Sequence, residues 1–221
     1  MAPQPEPSAA PRTPLTRERV LRAAISLADQ GGIESLSMRR LGQELGVEAM
    51  SLYNHVANKN DILDGIVDIV VSQIDVPSVG ADWKAALRQR AISAHEVLLR
   101  HPWASMLMVS RVNVGPAMLR YVDSTIGTLR QAGFSIEMAD HAWNAMDSHI
   151  YGFTLQKLNF PFDAETIPEA AATYLPTISA DEYPHLAEMS RYVMESSYSG
   201  VTEFEFGLDL ILDGLERLKT A

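Results

Sequence analysis

The stretch LSMRRLGQELGVEAMSLYNHVANKNDIL, residues 36–63, decides the fold. Gly42 and Gly46 lie four residues apart in it, and Leu52 follows six residues later. In a helix-turn-helix the two helices cross so closely that one position must be small, and the turn needs a positive φ. Gly42 and Gly46 suit these two positions, and Leu52 suits the apolar anchor of the second helix. The pattern predicts a helix-turn-helix, with an ordinary helical hairpin as the alternative.

Helical signals continue on both sides of this stretch. Thr16 is expected to cap a first helix that ends at the Gly31-Gly32 pair, and Ser37 is expected to cap the second. Apolar residues recur at helical spacing through the predicted helices. These span about 59–74, 81–100, 116–131, 136–159, 183–198 and 201–219. Residues 163–179, which contain two prolines, are predicted to form a looser helix or a mobile loop.

The predicted fold is therefore all-α. A small N-terminal domain with a three-helix helix-turn-helix, residues 15–60, precedes a larger helical domain, residues 61–221. The helix at 59–74 connects them, and residues 1–14, rich in proline and alanine, are expected to form a disordered leader.

Charge is distributed unevenly along the chain, whose formal net charge is −10. Residues 12–60 carry seven basic and five acidic side chains, whereas residues 61–221 carry eleven basic and twenty-two acidic ones. An acidic body repels DNA, so only the N-terminal part is expected to approach it. The absence of cysteine excludes disulfides and thiolate sites and fits a reducing cytoplasm. No run of apolar residues is long enough to predict a membrane span.

Residues 36–63 closely resemble the DNA-binding domain of the tetracycline-repressor (TetR) family. The Leu-Gly-Val turn, Leu-Tyr-x-His-Val and an Asn-Lys before the fourth helix occur in the family's order. Segments at 131–139 (QAGFSIEMA) and 206–218 (FGLDLILDGLERL) are also similar to the C-terminal domain of the family's tetracycline-responsive branch. The resemblance implies a dimeric, ligand-responsive repressor that binds palindromic double-stranded DNA.

The resemblance also implies which residues meet the DNA. The third helix would enter the major groove with Ala49, Met50, Ser51 and Asn54 towards the bases, opened by Glu48 and closed by His55. Arg39 is the expected reader of guanine. Tyr53, Lys59 and Ser37 are the expected phosphate contacts, although Tyr53 has the alternative of a core position and Glu48 that of a charge favouring the helix N-terminus.

The last helix is apolar on two sides. Five residues spaced three and four apart form the seam expected at the dimer interface: Phe204, Leu208, Ile211, Leu215 and Leu218. Val201 extends that seam, and Phe206, Gly207, Leu210 and Gly214 form the second side. One side is expected to face the chain's own domain and the other a partner, and the family dimerises through its eighth and last helices. A fully buried central helix is the alternative.

Large, soft side chains with scattered polar groups in the middle of the chain predict a pocket for a mostly apolar or aromatic molecule. The predicted lining comprises Ile66, Val70, Trp103, Met106, Met108, Asn113, Met118, Tyr121, Trp143, Asn144, Asp147, His149 and Phe153, with Met146 and Phe160 as further candidates. Ordinary core packing is the alternative for each one. A dimer that binds DNA without any effector also stays open.

No metal or cofactor is predicted. His141 and His149 lie eight residues apart, but no HxxxH or HExxH spacing occurs. The family's tetracycline-responsive branch binds its drug with magnesium through a histidine between the sixth and seventh helices. The corresponding stretch here, MLMVSRVNVGP at 106–116, has no histidine, so tetracycline itself is not expected. An enzyme is not expected either, since no nucleophile–base pair or phosphate loop is present.

Overall fold

The computed structural model describes residues 14–77, 80, 82–161, 166–195 and 203–219. All regular secondary structure within these residues is helical, which confirms the predicted all-α class. The α-helices are α1 (Arg17–Gly31), α2 (Met38–Leu45), α3 (Ala49–Leu52), α4 (Lys59–Val71), α5 (Trp83–Arg100), α6 (Pro102–Ser110), α7 (Pro116–Gln131), α8 (Ile136–Asn159), α9 (Ile167–Tyr174), α10 (Pro184–Glu195) and α11 (Phe204–Lys219). Short 3₁₀ turns cover Ile33–Ser35 and Leu175–Thr177.

Several helix bounds agree with the sequence prediction, and others differ for local reasons. α7 and α8 begin and end at the predicted residues, after Gly115 and Ser135. α4 ends at Val71 instead of residue 74, because the chain continues in tighter turns with Ile74 N–H bonded to Val71 O at 3.0 Å. The predicted leader and Val201 lie outside the described residues. The segment predicted as a looser helix contains α9.

One helix was not predicted. α6 begins only two residues after α5 ends, and the non-helical backbone of His101 separates the two. Pro102 occupies its first position, where a missing N–H costs nothing. α6 is short and apolar on most sides, so its sequence shows no periodicity that would reveal a helix.

The chain divides into two compact units, Met1–Ile66 and Val67–Ala221, with the boundary inside α4. In the first unit the Thr16 hydroxyl accepts from Arg19 N–H at 3.2 Å and the Ser37 hydroxyl from Arg40 N–H at 3.2 Å, so both predicted caps are confirmed. Its core is a set of fully buried apolar side chains from α1, α2, α3 and α4. They include Val20, Ala24, Leu41, Leu52, Ile62 and Ile66.

The two glycines of the helix-turn-helix serve the predicted purposes. A Cβ on Gly42 would lie 2.9 Å from Val47 O and 3.2 Å from Ala49 Cα, so only glycine permits this close crossing. Gly46 has φ 67° and ψ 32°, the left-handed conformation that side chains disfavour. Leu52 is fully buried, as expected of the anchor. This local geometry brings α3 against α2.

In the second unit α5 is the central helix, and it packs against α6, α7, α8 and α11. Leu87, Leu98, Leu129, Met146 and Ile150 are fully buried in this core. Burying each of these side chains contributes roughly 1.5–3 kcal/mol. α9 packs against α10.

Candidate nucleic-acid interface and ligand cavity

The third helix presents its outer side to solvent. Met50 is 74% exposed and Tyr53 45% exposed, so Tyr53 is not a core residue. α3 is shorter than predicted, because it ends at Leu52, and Tyr53, Asn54 and His55 lie in the turn that follows. Glu48, which precedes the helix, and Asn54 are exposed, whereas Ala49, Ser51 and His55 are half-buried. Leu52 is buried underneath and holds the helix in place. All seven predicted contact residues between Glu48 and His55 thus keep some accessible surface for a partner.

Two exposed cations flank this helix. Arg39 on α2 and Lys59 at the start of α4 form no ion pair within the described part of the chain. The Ser37 hydroxyl accepts from Arg40 N–H, which leaves its own hydrogen free to be donated to an acceptor such as a phosphate oxygen. Together these groups give the surface around α3 the donors and positive charge that phosphate contacts require.

An ion pair that was not predicted fixes the turn after α3. Both terminal nitrogens of Arg17 donate to the Asp61 carboxylate, at 2.8 and 2.6 Å, and Ala57 N–H donates to the same group at 2.8 Å. The Arg17 hydrogen bonds hold the pKa of Asp61 below its usual value. Arg17 and Asp61 are 44 residues apart, so no local pattern could reveal the contact. The pair joins the start of α1 to the start of α4, which carries Lys59.

A cavity of about 480 Å³ lies in the second unit among α6, α7, α8 and the α6–α7 loop. Its volume falls within the usual range for small-molecule sites. The lining residues are Met108, Val109, Arg111, Asn113, Met118, Tyr121, Val122, Trp143, Asn144, Asp147, Ser148 and Tyr151. Seven of these were expected from the sequence. Apolar and aromatic side chains form most of the wall, with a few polar groups among them.

The polar floor of the cavity is organised around Asp147. Its carboxylate accepts from Arg90 Nη2 at 2.6 Å, Trp143 Nε1 at 2.7 Å and the Tyr151 hydroxyl at 3.2 Å. Arg90 is fully buried, and its guanidinium lies over the Tyr121 ring, 4.2 Å from the centroid. A buried charge is costly unless it is paired, so Arg90 and Asp147 can both be charged at this buried position because they pair with each other.

The other predicted pocket residues lie elsewhere. Ile66 and Val70 are fully buried on α4, Trp103 is buried on α6, and Met106 is more than half exposed. His149 donates to Phe204 O at 2.9 Å, and its ring stacks on that of Phe204. Phe153 packs edge-on against the same ring. His149 and Phe153 therefore help to attach α11 to α8.

Sequence reasoning missed five lining residues, and four of them, all except Arg111, carried a detectable signal. Tyr151 and Ser148 lie at helical spacing from the predicted Trp143, Asn144 and Asp147, so one face of α8 lines the cavity. Val109 and Val122 adjoin predicted residues on α6 and α7. Arg90 gave no signal, because an arginine on a long helix normally lies at the surface.

The start of α7 is held by a carboxylate from α4. Asp68 Oδ1 accepts from the N–H groups of Ala117 and Met118, at 2.9 and 3.0 Å. A carboxylate at this position satisfies two free N–H groups and favours the positive end of the helix. Because Met118 and Tyr121 line the cavity, α4 is joined directly to a helix of the cavity wall.

The faces of α11 require a correction to the predicted interface. Phe204, Leu208 and Leu215 are buried in the chain's own core together with Leu212, so they offer no surface to a partner. Of the predicted seam, Ile211 is half-buried and Leu218 is exposed. Phe206 and Leu210, on the second side, are 66% and 55% exposed. Heptad spacing identified an apolar seam, but it could not tell which of the two sides the domain itself buries.

Charged side chains on a third side of α11 fix its rotation. Lys84 of α5 pairs with Asp213 at 2.7 Å and with Glu216 at 2.6 Å. Arg88 pairs with Asp209 at 2.7 Å and also with Glu205. These contacts direct the remaining side, with Phe206, Leu210 and Leu218, away from α5.

No helix among the described residues is both long and apolar enough to span a membrane. Nor does that part of the chain contain three or more histidine, aspartate or glutamate side chains placed to hold a metal ion.

Comparison with known families accounts for both units. Residues 20–66 match the model for bacterial regulatory proteins of the tetR family, and residues 76–218 match that for the tetracyclin repressor-like C-terminal domain. The chain belongs to the TetR family. It is therefore a transcriptional regulator, with the helix-turn-helix in its N-terminal unit.

Individual TetR relatives match over nearly the whole chain. An HTH-type transcriptional repressor, DrrR1 of Streptomyces coeruleorubidus, is 32% identical and is aligned over 96% of this chain and 81% of its own. The class D tetracycline repressor protein of Escherichia coli is 30% identical, over 94% and 92% respectively. Among solved structures, the TetR family protein ActR of Streptomyces coelicolor in complex with actinorhodin is 28% identical, with a TM-score of 0.78. That match covers 95% of this chain and all of ActR.

Proposed function

We propose that this TetR-family chain is a dimeric repressor that a small, mostly apolar or aromatic molecule releases from a palindromic operator. The observation that carries the proposal is the hydrogen-bonded contact of Asp68 with the start of α7. It connects a helix of the cavity wall to α4, the helix that begins beside the DNA-binding surface with Lys59. The similarity to a repressor and to an actinorhodin-binding regulator supports the same function.

On the DNA, α3 enters the major groove. Ala49, Met50, Ser51 and Asn54 approach base edges between Glu48 and His55, and Arg39 reads a guanine from α2. Tyr53, Lys59 and Ser37 contact phosphates. The exposure of Met50 and Tyr53 supports these assignments, as does the lack of ion pairs between Arg39 or Lys59 and any described acidic residue.

The dimer forms through α8 and α11. Phe206, Leu210, Ile211 and Leu218 of α11 provide the apolar contact, in place of the three buried residues of the predicted seam. Exposed small residues on α8, Ala145, Ser148 and Gly152, allow a second helix to approach closely. The ion pairs with Lys84 and Arg88 turn one side of α11 towards α5 and leave the apolar side with Phe206 and Leu210 exposed. An exposed apolar patch of this kind normally marks an interface, which supports this arrangement.

The effector occupies the cavity among α6, α7 and α8. A molecule that favours a shifted position of α7 moves Asp68 with it and tilts α4, so that two recognition helices no longer match the half-site spacing. The chain acts by binding and conformational change rather than by catalysis, and it acts in the cytoplasm, where its operator lies.

Footprinting on the DNA that flanks the chain's own gene tests the DNA-binding part. We expect one protected palindrome per dimer, with half-sites about 34–36 Å apart. A monomer bound to a single asymmetric half-site would contradict the proposal. The protected fragment then serves in a release screen against aromatic compounds, in which a compound must both lower DNA affinity and raise the melting temperature of the protein. If no compound does both, the chain is a DNA-binding dimer without a small effector.

A further inference from the structure

Two side chains that line the cavity each hold a buried polar atom with no hydrogen-bond partner among the described residues, the Tyr121 hydroxyl and Asn113 Oδ1. Nε and Nη1 of Arg90, whose Nη2 pairs with Asp147, are likewise buried without a partner in that part of the chain. Tyr121 is only 1% exposed, and both side chains line the cavity. A buried polar atom without a partner costs about 1–3 kcal/mol, so folded proteins keep few of them. A molecule bound in the cavity could supply the missing partners of Tyr121 and Asn113.

The Asn113 amide can be oriented from its own contacts. Its Nδ2 donates to Arg111 O at 3.1 Å and to Leu107 O at 3.4 Å, which uses both amide hydrogens. The oxygen is therefore the atom left for the cavity, and it can only accept. A ligand group that satisfies Asn113 must be a donor, such as a hydroxyl.

Asn113 requires a hydrogen-bond donor on the ligand, whereas Tyr121 requires an acceptor. Burial raises the pKa of Tyr121 above its usual value, so its phenol remains protonated and carries a hydrogen to donate. The nearby Asp147 carboxylate already accepts from three donors and is paired with Arg90. Asp147 is thus not free to attract a cationic ligand, and the group that best satisfies Tyr121 is an acceptor, such as a carbonyl oxygen.

We propose that the effector is a ring-containing molecule with a hydroxyl group that donates to Asn113 Oδ1 and a carbonyl oxygen that accepts from the Tyr121 hydroxyl. This inference rests on the proposed function, because it assigns the chemistry of the effector in the same cavity. The wall of Met108, Met118, Val122 and Trp143 encloses the ring system. Tyr121 and Asn113 then determine specificity, since a molecule lacking either group leaves a buried polar atom unsatisfied.

The hydroxyl of Tyr151, which lines the same cavity, provides a matched control for the effect of Tyr121→Phe on stability. The Tyr151 hydroxyl donates to Asp147, whereas the Tyr121 hydroxyl forms no hydrogen bond of normal length and angle with any described residue. Without ligand, Tyr121→Phe is therefore expected to leave the melting temperature unchanged or slightly raised, and Tyr151→Phe is expected to lower it. A clear loss of stability in Tyr121→Phe would show that its hydroxyl is used within the protein and would overturn the assignment.

Binding is tested with 7-hydroxyflavone and flavone, which share a carbonyl group and differ by one hydroxyl. Tryptophan fluorescence reports binding, because Trp143 lines the cavity. We expect the wild-type chain to bind 7-hydroxyflavone about fivefold or more tightly than flavone. Asn113→Leu should remove that preference, and Tyr121→Phe should weaken both compounds alike. Asn159→Ala, which changes an exposed residue at the end of α8 that does not line the cavity and bonds to Leu155 O, should alter neither affinity.

The inference is overturned if wild type binds neither flavone, if it binds the two equally, or if Asn113→Leu retains the preference. Operator release, measured on the same samples, separates this failure from failure of the proposed function. Binding that depends on Asn113 and Tyr121 but does not release DNA contradicts the proposed function alone. Release of DNA by flavone and 7-hydroxyflavone at equal affinity contradicts only the polar recognition proposed here.

Discussion

Individual side chains of the proposed DNA surface have distinguishable effects on binding. Lys59→Ala removes one phosphate contact per subunit, so affinity should fall equally for all DNA sequences. The slope of log K against log salt should become smaller by about 2 for a dimer, because fewer counterions are released. Arg39→Ala or Ser51→Ala should instead change base preference at one position, by about 1–3 kcal/mol. If Lys59→Ala changes sequence preference and leaves the salt slope unaltered, the phosphate assignment is wrong.

His95 should make the stability of the second unit sensitive to pH. Burial lowers the pKa of His95 to about 4, and the charges of Lys157 and His149 add to the effect. The Thr154 hydroxyl donates to Ile150 O, so His95 Nδ1 must donate to Thr154, and a second proton would have to enter between aromatic rings. The unfolded state therefore binds a proton more readily than the folded state does. The contribution of neutral His95 to the free energy of unfolding should be fully present above about pH 6.5. It should decrease as the pH falls towards 4.

Denaturant midpoints measured between pH 8 and pH 4.5 check this expectation. His95→Gln should flatten the decline, whereas His141→Gln, at an exposed position, should not change it. A profile for His95→Gln that parallels the wild-type profile would assign the pH dependence to other groups.

At the residue scale, sequence reasoning found the groups that repeat along a helix and missed those that meet only in the folded chain. Asp147, Trp143 and Tyr121 were expected because large and polar side chains cluster in the middle of the sequence. Arg90 was missed because its partner Asp147 is 57 residues away. Whether the Tyr121 hydroxyl has a hydrogen-bond partner likewise depends on the atoms around it in the folded chain. The spacing of residues in the sequence does not reveal this.

Different side chains of helix α11 are expected to serve the core of the chain and the dimer interface. Leu210 is 55% exposed and Leu208 is fully buried, although they are two residues apart. Leu210→Asp should yield a folded monomer, because the charge remains in water until a partner buries it. Leu208→Asp should prevent folding, since it places an unpaired charge in the core. Sedimentation and circular dichroism together distinguish the two, and a dimeric Leu210→Asp variant would exclude this face as the interface.

The contact between α4 and α7 should carry the response to ligand. Asp68→Ala removes the acceptor for two N–H groups at the start of α7 and should lower stability by about 0.5–2 kcal/mol. It should also reduce the loss of DNA affinity caused by an effector, while binding of the effector itself remains. Asp68→Asn, which keeps an acceptor oxygen, is the control. Undiminished release of DNA in Asp68→Ala would show that the signal takes another route.

At the element scale, helices whose ends are marked by glycine, proline or a capping residue were predicted well. Gly133 and Pro116 delimit α7, and Ser135 caps α8 with its hydroxyl bonded to Met138 N–H. α6 was missed although Pro102 marks its start, because only His101 separates it from α5 and its apolar residues show no helical periodicity. The two apolar sides of α11 were recognised, but their assignment needed the positions of Lys84 and Arg88 on α5.

At the scale of the whole molecule, DNA affinity is expected to depend on whether a ligand occupies the cavity. Binding free energies are reciprocal, so operator DNA must weaken effector affinity by the factor by which the effector weakens DNA affinity. Typical coupling is about 1–3 kcal/mol, which corresponds to roughly 5- to 150-fold.

The most direct measurement is therefore a pair of calorimetric titrations with a compound that emerges from the operator-release screen. The compound is titrated into the wild-type protein alone and into the protein saturated with its operator fragment. We predict an effector affinity lower by at least about fivefold in the presence of operator, matched by an equal loss of DNA affinity in the presence of the compound. Equal effector affinities in the two titrations would contradict the account of a ligand-released repressor.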